Sequence, residues 1–272
     1  MSSQPIGHRA NHSGNGLSLT ACLVAGLMTS FAFGCGTGHR DILPGSMLSE
    51  DTAATGKSKL NSAQQADVYL SLGRSAESQG NLTEALRMYE SAIVKQPKSG
   101  LAHWRLAVCL DKSGNFEKSA DHYADAIKHL PGDAEIYCDF GYSLLIQERW
   151  RDAEMQLKQA IALKPELRRA HNNLGIVLAQ GSNLEEARKE FQLGGLAVPD
   201  VHWNVAQTLI AQSRWDEARG EFQRVLSMNP QNAEVAGALQ GLERMVARLD
   251  RLENPAPAAD PELMRASAKP AR

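Results

Sequence analysis

A chain of 272 residues with 29 basic and 31 acidic side chains has a formal net charge of −2, which excludes the basic surface a nucleic-acid binder needs to displace phosphate counterions. Apolar residues make up 43% and charged residues 22%, which sets the chain apart from a disordered polyelectrolyte and supplies a core for one large domain or two small ones. Four cysteines, Cys22, Cys35, Cys109 and Cys138, form no CxxC or Cys/His array, so no zinc site is expected from them. Cys109 and Cys138 fall on neighbouring predicted helices, and the narrow geometry of a disulfide argues against a bridge between them.

The first element in chain order reads as an address. Residues 1–16 are polar with Arg9 as their only fixed charge, and an apolar run from Leu17 to Gly34 ends at Cys35. A positive start, an apolar stretch and small residues before a cut mark a secretory signal peptide, and Ala32 and Gly34 supply the small residues. A cysteine at that place resembles the bacterial lipoprotein signal, which implies cleavage before Cys35 and lipidation of Cys35. Ala32 stands where the lipobox usually has leucine, and Phe33 is bulky. Leu19-Thr20-Ala21-Cys22 fits the lipobox letters better, but almost no apolar run precedes Cys22, and a cut there would leave a greasy end. The apolar run also sits at the lower limit for crossing a bilayer, so a single-pass N-terminal membrane anchor and plain export stay open. Residues 36–61 are rich in Gly, Ser, Thr and Lys without a period. The expected boundaries are therefore a signal peptide over 1–34 and a flexible tether over 35–61.

From residue 62 the chain becomes periodic. Prolines stand at 97, 131, 165, 199 and 230, spaced by 34, 34, 34 and 31, and each closes a unit with the same slots. An apolar–small pair lies in the first half of each unit: Leu72-Gly73, Leu106-Ala107, Phe140-Gly141, Leu174-Gly175 and Val205-Ala206. A ring stands three residues before the pair, at Tyr69, His103, Tyr137, His171 and His202. Twelve residues after it comes a small residue (Ala85, Ser119, Ala153, Ala187, Ala218), and four later a large one (Tyr89, Tyr123, Leu157, Phe191, Phe222).

Within each unit apolar residues recur at three- and four-residue spacing, as in two amphipathic helices. Turns are expected at Gly80-Asn81, Gly114-Asn115, Glu148-Arg149, Gly181-Ser182-Asn183 and Ser213-Arg214. Gly73, Gly141 and Gly175 are expected to let paired helices approach closely. The prolines lack an N–H and stop the second helix. Ser62 with Gln65 reads as a capping box. The short spacing in the fourth unit predicts a tighter turn just before Asp200. A single helix pair cannot bury its own faces, so stacking is required. Residues 233–252 read as an amphipathic cap helix, and 253–272, rich in Pro and Ala, as a disordered tail.

These slots resemble the tetratricopeptide repeat (TPR) over residues 64–235. The resemblance implies an all-α fold: a right-handed TPR solenoid of about five helix-turn-helix repeats plus a C-terminal capping helix, spanning 62–252. It also implies that the first helix of each pair lines a concave groove that takes a protein or peptide partner. The groove slots fall three residues before the small residue, one after it and four after it. The first row is Leu70, Trp104, Cys138, Asn172 and Trp203; the second is Arg74, Val108, Tyr142, Ile176 and Gln207; the third is Glu77, Asp111, Leu145, Ala179 and Ile210. Trp104, Tyr142, Leu145 and Ile176 read as an exposed stripe suited to a binding hot spot. Asn173 and Asn204 sit two residues before the small slot, where an asparagine in some members of the family bonds the backbone of an extended peptide. The carboxylate clamp of chaperone-binding members is not reproduced, because Leu70 and Asp139 occupy slots it would fill otherwise.

No GxSxG, Walker A, HExxH or kinase signature occurs, and repeats, cap, tether and signal consume the chain. An enzyme, a cofactor, a small-molecule substrate and a nucleic-acid partner are therefore not expected. Nor is a metal, since His103, His171 and His202 fill the ring slot of the repeat. The expected function is a non-catalytic interaction scaffold in the cell envelope, membrane-anchored through a lipidated Cys35 and facing periplasm or exterior. In architecture it resembles lipidated repeat proteins of pilus, secretion and outer-membrane assembly. The alternative is a substrate-recruiting partner of a separate enzyme, such as a protein glycosyltransferase.

Overall fold

The computed structural model describes residues 60–253. The expected signal peptide, Cys35, most of the tether and the tail beyond 253 lie outside the described residues. All regular structure among the described residues is helical: α1 (Ser62–Ser78), α2 (Leu82–Lys95), α3 (Gly100–Lys112), α4 (Phe116–His129), α5 (Ala134–Ile146), α6 (Trp150–Leu163), α7 (Arg168–Gln180), α8 (Leu184–Leu193), α9 (Val198–Ala211), α10 (Trp215–Met228) and α11 (Ala233–Glu253). Consecutive helices form the pairs α1/α2, α3/α4, α5/α6, α7/α8 and α9/α10, each pair packs on the next, and α11 closes against α10. First helices of neighbouring pairs also meet, α3 with α5, α5 with α7 and α7 with α9, so they form a shared wall of the stack.

The small and large slots lock each pair together. A Cβ on Gly73 would lie 2.5 Å from the Tyr89 ring, one on Gly141 2.7 Å from Leu157, and one on Gly175 2.7 Å from Phe191. Those three large side chains are fully buried. Only a bare Cα lets the second helix set such a side chain directly against the first. Cys109 and Cys138 are buried, and burial pushes the Cys109 thiol up to about 12.

The five turns within the pairs share one geometry, including the two without glycine. One residue in each takes left-handed backbone: Gly80 at φ 72°, Gly114 at 76°, Glu148 at 58°, Ser182 at 63° and Ser213 at 59°. The N–H of the next residue then donates to a carbonyl five residues back, as from Asn81 to Ala76 at 2.9 Å and from Arg149 to Leu144 at 3.0 Å. This closes the first helix with a Schellman-type cap. Left-handed backbone costs an L-residue about 1–2 kcal/mol, and glycine's extra chain entropy costs about 0.5–1 kcal/mol. Replacing Glu148, Ser182 and Ser213 by glycine together is therefore expected to stabilise the fold by about 1–2 kcal/mol. The check is the urea midpoint, and an unchanged or lower midpoint would contradict it.

Two local readings are corrected. The capping box that opens α1 is built one residue earlier than Ser62 and Gln65: Gln64 N–H donates to Asn61 Oδ1 at 2.9 Å, and Asn61 N–H donates to Gln64 Oε1 at 3.0 Å. Asparagine caps as well as serine does, and Gln65 instead donates to the Leu60 carbonyl at 2.7 Å. The short fourth unit is absorbed by its helices. The second helix, α8, has 10 residues where the others have 14. It ends at Gly194-Gly195, with Gly195 at φ 78°. Pro199 does not close its unit in a loop but lies in the first turn of α9, where its missing N–H removes no helical bond.

Candidate functional site

The ring slot serves the joint between units. His103 Nε2 lies 3.1 Å from the Pro97 carbonyl and His171 Nε2 lies 2.7 Å from the Pro165 carbonyl, while the Tyr137 hydroxyl donates to the Pro131 carbonyl at 3.3 Å. A carbonyl only accepts, so Nε2 of both histidines carries a proton. The other nitrogen faces the residue nineteen positions on: Glu190 for His171 and Glu221 for His202, both at 2.6 Å.

Four of the five third-row groove slots, Glu77, Asp111, Leu145 and Ala179, point into the pair, and Ile210 stays half-buried. Glu77 accepts from the Tyr89 hydroxyl at 3.0 Å, and Asp111 accepts from the Tyr123 hydroxyl at 2.9 Å. In the other three units the large residue is apolar (Leu157, Phe191, Phe222), and the row carries Leu145, Ala179 and Ile210. A buried hydroxyl needs an acceptor and a buried ring or alkyl chain does not, so the two slots change together. Leu145 is accordingly fully buried, which corrects its reading as an exposed hot-spot residue. Asp111 also takes hydrogen bonds from Ser119 and Ser143. Burial still leaves its carboxyl above the usual aspartate value, because these neutral donors offset only part of the desolvation.

Trp104 is corrected in the same way. It is only 6% exposed, and its indole N–H donates to Asp139 Oδ2 at 3.0 Å on the next unit. Asp139 also accepts from Arg169 at 3.0 Å, and Arg169 reaches Glu135 at 2.6 Å. One unit earlier, Glu77 accepts from Arg105 at 2.8 Å and from Lys112 at 2.7 Å. Burial raises the Glu77 pKa, but the Lys112 bond and the charges of Arg105 and Lys112 outweigh it, and the carboxyl stays below its ordinary value. The wall of first helices is thus stitched across units by charge-assisted bonds that single-helix reasoning did not find. Asn172 of the first row is likewise turned away from the expected groove: its Nδ2 lies 3.5 Å from the Gly194 carbonyl, against the end of α8. Arg168 donates to the Gly194 and Gly195 carbonyls at 2.9 and 3.0 Å, capping that shortened helix.

The remaining expected residues stand more open. Arg74 is exposed, Tyr142 is 39% exposed, and Val108, Asn173, Ile176, Trp203, Asn204, Gln207 and Ile210 are half-buried. The Trp203 ring tilts against Phe222 with centroids 5.4 Å apart. Asn173 makes only a long contact of 4.0 Å to Cys138 Sγ. The side-chain amides of Asn204 and Gln207 bond to no other described residue. Among the described residues no helix is long and apolar enough to cross a membrane.

A family model described as tetratricopeptide repeat matches residues 70–134 and 138–196. The type IV pilus assembly protein PilF of Pseudomonas aeruginosa is 26% identical over 172 residues, covering 61% of this chain and 68% of that protein. Among solved structures, a tetratricopeptide repeat protein from Parabacteroides merdae superposes with a TM-score of 0.56 at 16% identity, covering 76% of this chain and 82% of its own. YrrB, described as a TPR protein with an unusual peptide-binding site, superposes with a TM-score of 0.52 at 18% identity, covering 64% of this chain and 92% of its own. At these identities the two structures speak for the fold alone. Helix pairing, the repeated slots and the family match agree: this chain is a tetratricopeptide-repeat protein, a protein-binding scaffold distantly related to PilF.

Proposed function

We propose that the chain is a cell-envelope adaptor that holds an extended peptide of a partner protein along Asn173, Asn204 and Gln207, flanked by Tyr142, Ile176 and Ile210. The observation that carries this reading is the unpartnered amide pair of Asn204 and Gln207. Each amide offers both a donor and an acceptor, the two groups a peptide backbone presents at every residue. Half-buried apolar neighbours supply area that loses water on docking, and Tyr142 brings an aromatic face of the kind that dominates binding energy. The distant likeness to PilF supports a place in pilus assembly. Anchoring through a lipidated Cys35 would keep the repeats at a membrane surface.

The test is capture of partners from a detergent extract of native cells by the full-length protein and by a Tyr142→Ala, Asn204→Ala, Gln207→Ala variant. Trp104 is left intact because it belongs to the core. With helical content unchanged by circular dichroism, the native chain is expected to retain a specific partner and the variant to lose at least about nine-tenths of it, the size of a 1.4 kcal/mol loss. Equal retention would remove this face from the binding surface. A partner outside the pilus machinery would overturn the pathway and leave the adaptor role standing.

A further inference from the structure

The second unit differs from its sisters at the ring slot. In units four and five the histidine faces a glutamate nineteen residues on, and in units one and three the ring is a tyrosine with Met88 and Gln156 nineteen residues on in sequence. In unit two His103 faces a second imidazole: His103 Nδ1 lies 3.0 Å from His122 Nδ1. Asp125 lies one turn on from His122 along α4 and brings Oδ2 to 3.7 Å from His103 Nδ1. The three ligand atoms lie within 4.8 Å of one another. At the slot of Asp125 the other units carry Ser91, Gln159, Leu193 and Arg224, so only unit two assembles the set.

We propose that His103, His122 and Asp125 form a binding site for a divalent late transition-metal ion, zinc above all, that clips α3 to α4. Two imidazoles and a carboxylate are borderline ligands of the kind zinc takes, with a fourth position left to water. Tetrahedral bonds of that length set ligand atoms about 3.3 Å apart, so the 3.0 and 3.7 Å separations need to change by only a few tenths of an ångström. The outer contact is also in place. His103 donates its Nε2 proton to the Pro97 carbonyl at 3.1 Å, which fixes the ring and turns the Nδ1 lone pair toward His122 and Asp125, the arrangement that orients metal-bound histidine. Asp125 has a half-exposed side chain, which gives an ion its way in. The His129 ring lies one turn further along the same helix, with its centroid 6.4 Å from that of His103.

The test uses the full-length chain without a histidine tag, stripped with chelator and titrated with Co²⁺ and then Zn²⁺. The native protein is expected to show the intense visible absorption of four-coordinate cobalt at one equivalent, abolished by zinc, and a higher thermal midpoint with zinc than without. His122→Gln carries the residue unit three has at that slot, so folding is expected to survive. It should bind at one equivalent less, or more than about tenfold more weakly, a loss at least as large as that of an outer-shell contact, and Asp125→Asn should weaken binding in the same direction. His8, His12, His39, Cys22 and Cys35 lie elsewhere in the chain, and their binding would be equal in all three proteins. Identical titrations of native and His122→Gln protein would therefore overturn the proposal and leave the two imidazoles a hydrogen-bonded pair.

Discussion

Trp104→Ala is expected to destabilise the protein by about 3–5 kcal/mol, the range for emptying a buried aromatic site. The ring fills the joint between the second and third units among Ala107, Tyr123, Ala126 and Ile136. Its loss also removes the indole N–H from Asp139, whose carboxyl burial already pushes above the usual value against the pull of Arg169 and Trp104. Trp104→Phe keeps most of the packing and loses only the donor, for which about 1–3 kcal/mol is expected. Urea denaturation should rank native above Phe above Ala. Because stability in a stack is a sum of unit and interface terms, the Ala variant is expected to lose its single transition and melt in two steps at this joint. A native-like midpoint for Trp104→Ala would return the residue to the surface. Any binding study that truncates Trp104 would read unfolding as lost affinity.

Glu221→Ala is expected to cost about 3–5 kcal/mol, as for removing one member of a buried charge cluster. The Glu221 side chain is 3% exposed, and its carboxylate holds Arg188 from α8 at 2.7 Å, His202 from α9 at 2.6 Å and Arg224 from its own helix at 2.5 Å. One side chain thus ties three helices of the last two repeats. Burial raises its pKa, but the His202 and Arg188 bonds and the charges of Arg188 and Arg224 lower it further, and the net shift is below the ordinary 4.5. A depressed carboxylate contributes stability that is present above its unfolded pKa and lost as pH falls through its folded one. The gap in stability between native protein and Glu221→Ala is therefore widest near neutrality and narrows as pH falls below about 4.5. Glu77 and Glu135 act with the same sign, and the raised Asp111 and Asp139 act against it. For that reason the difference between the two proteins, measured from neutral to acid pH, isolates Glu221. A gap that widens toward acid would refute this account.

The repeat was legible because each slot is answered within its own helix pair. Gly73 needs Tyr89, Gly141 needs Leu157 and Gly175 needs Phe191, and both members of each pair lie in one stretch of sequence. Turns were legible for the same reason, even at Glu148 and Ser213, where hydrophobic period and length placed a break that no glycine marked. The capping box slipped by one residue because Asn61 and Ser62 are both good caps, and only the realised hydrogen bonds choose between them.

The outward or inward aim of each slot was decided by neighbours a whole unit away. Trp104 is buried because Asp139, 35 residues on, accepts its N–H. Glu77, Asp111, Leu145 and Ala179 of the third row turn inward because Tyr89 and Tyr123 need acceptors and the apolar large residues need cover. Asn172 faces the end of a helix that the short fourth unit cut back. His103 has a partner in His122 that comparison with His171 and His202 did not bring to view. Sequence by itself determined the repeat, the pairing of helices and the places where they turn, because those follow from contacts within one supersecondary unit. Which side chains remain available to a partner was settled only by stacking, because a wall of adjoining helices buries one neighbour's ring with another neighbour's charge.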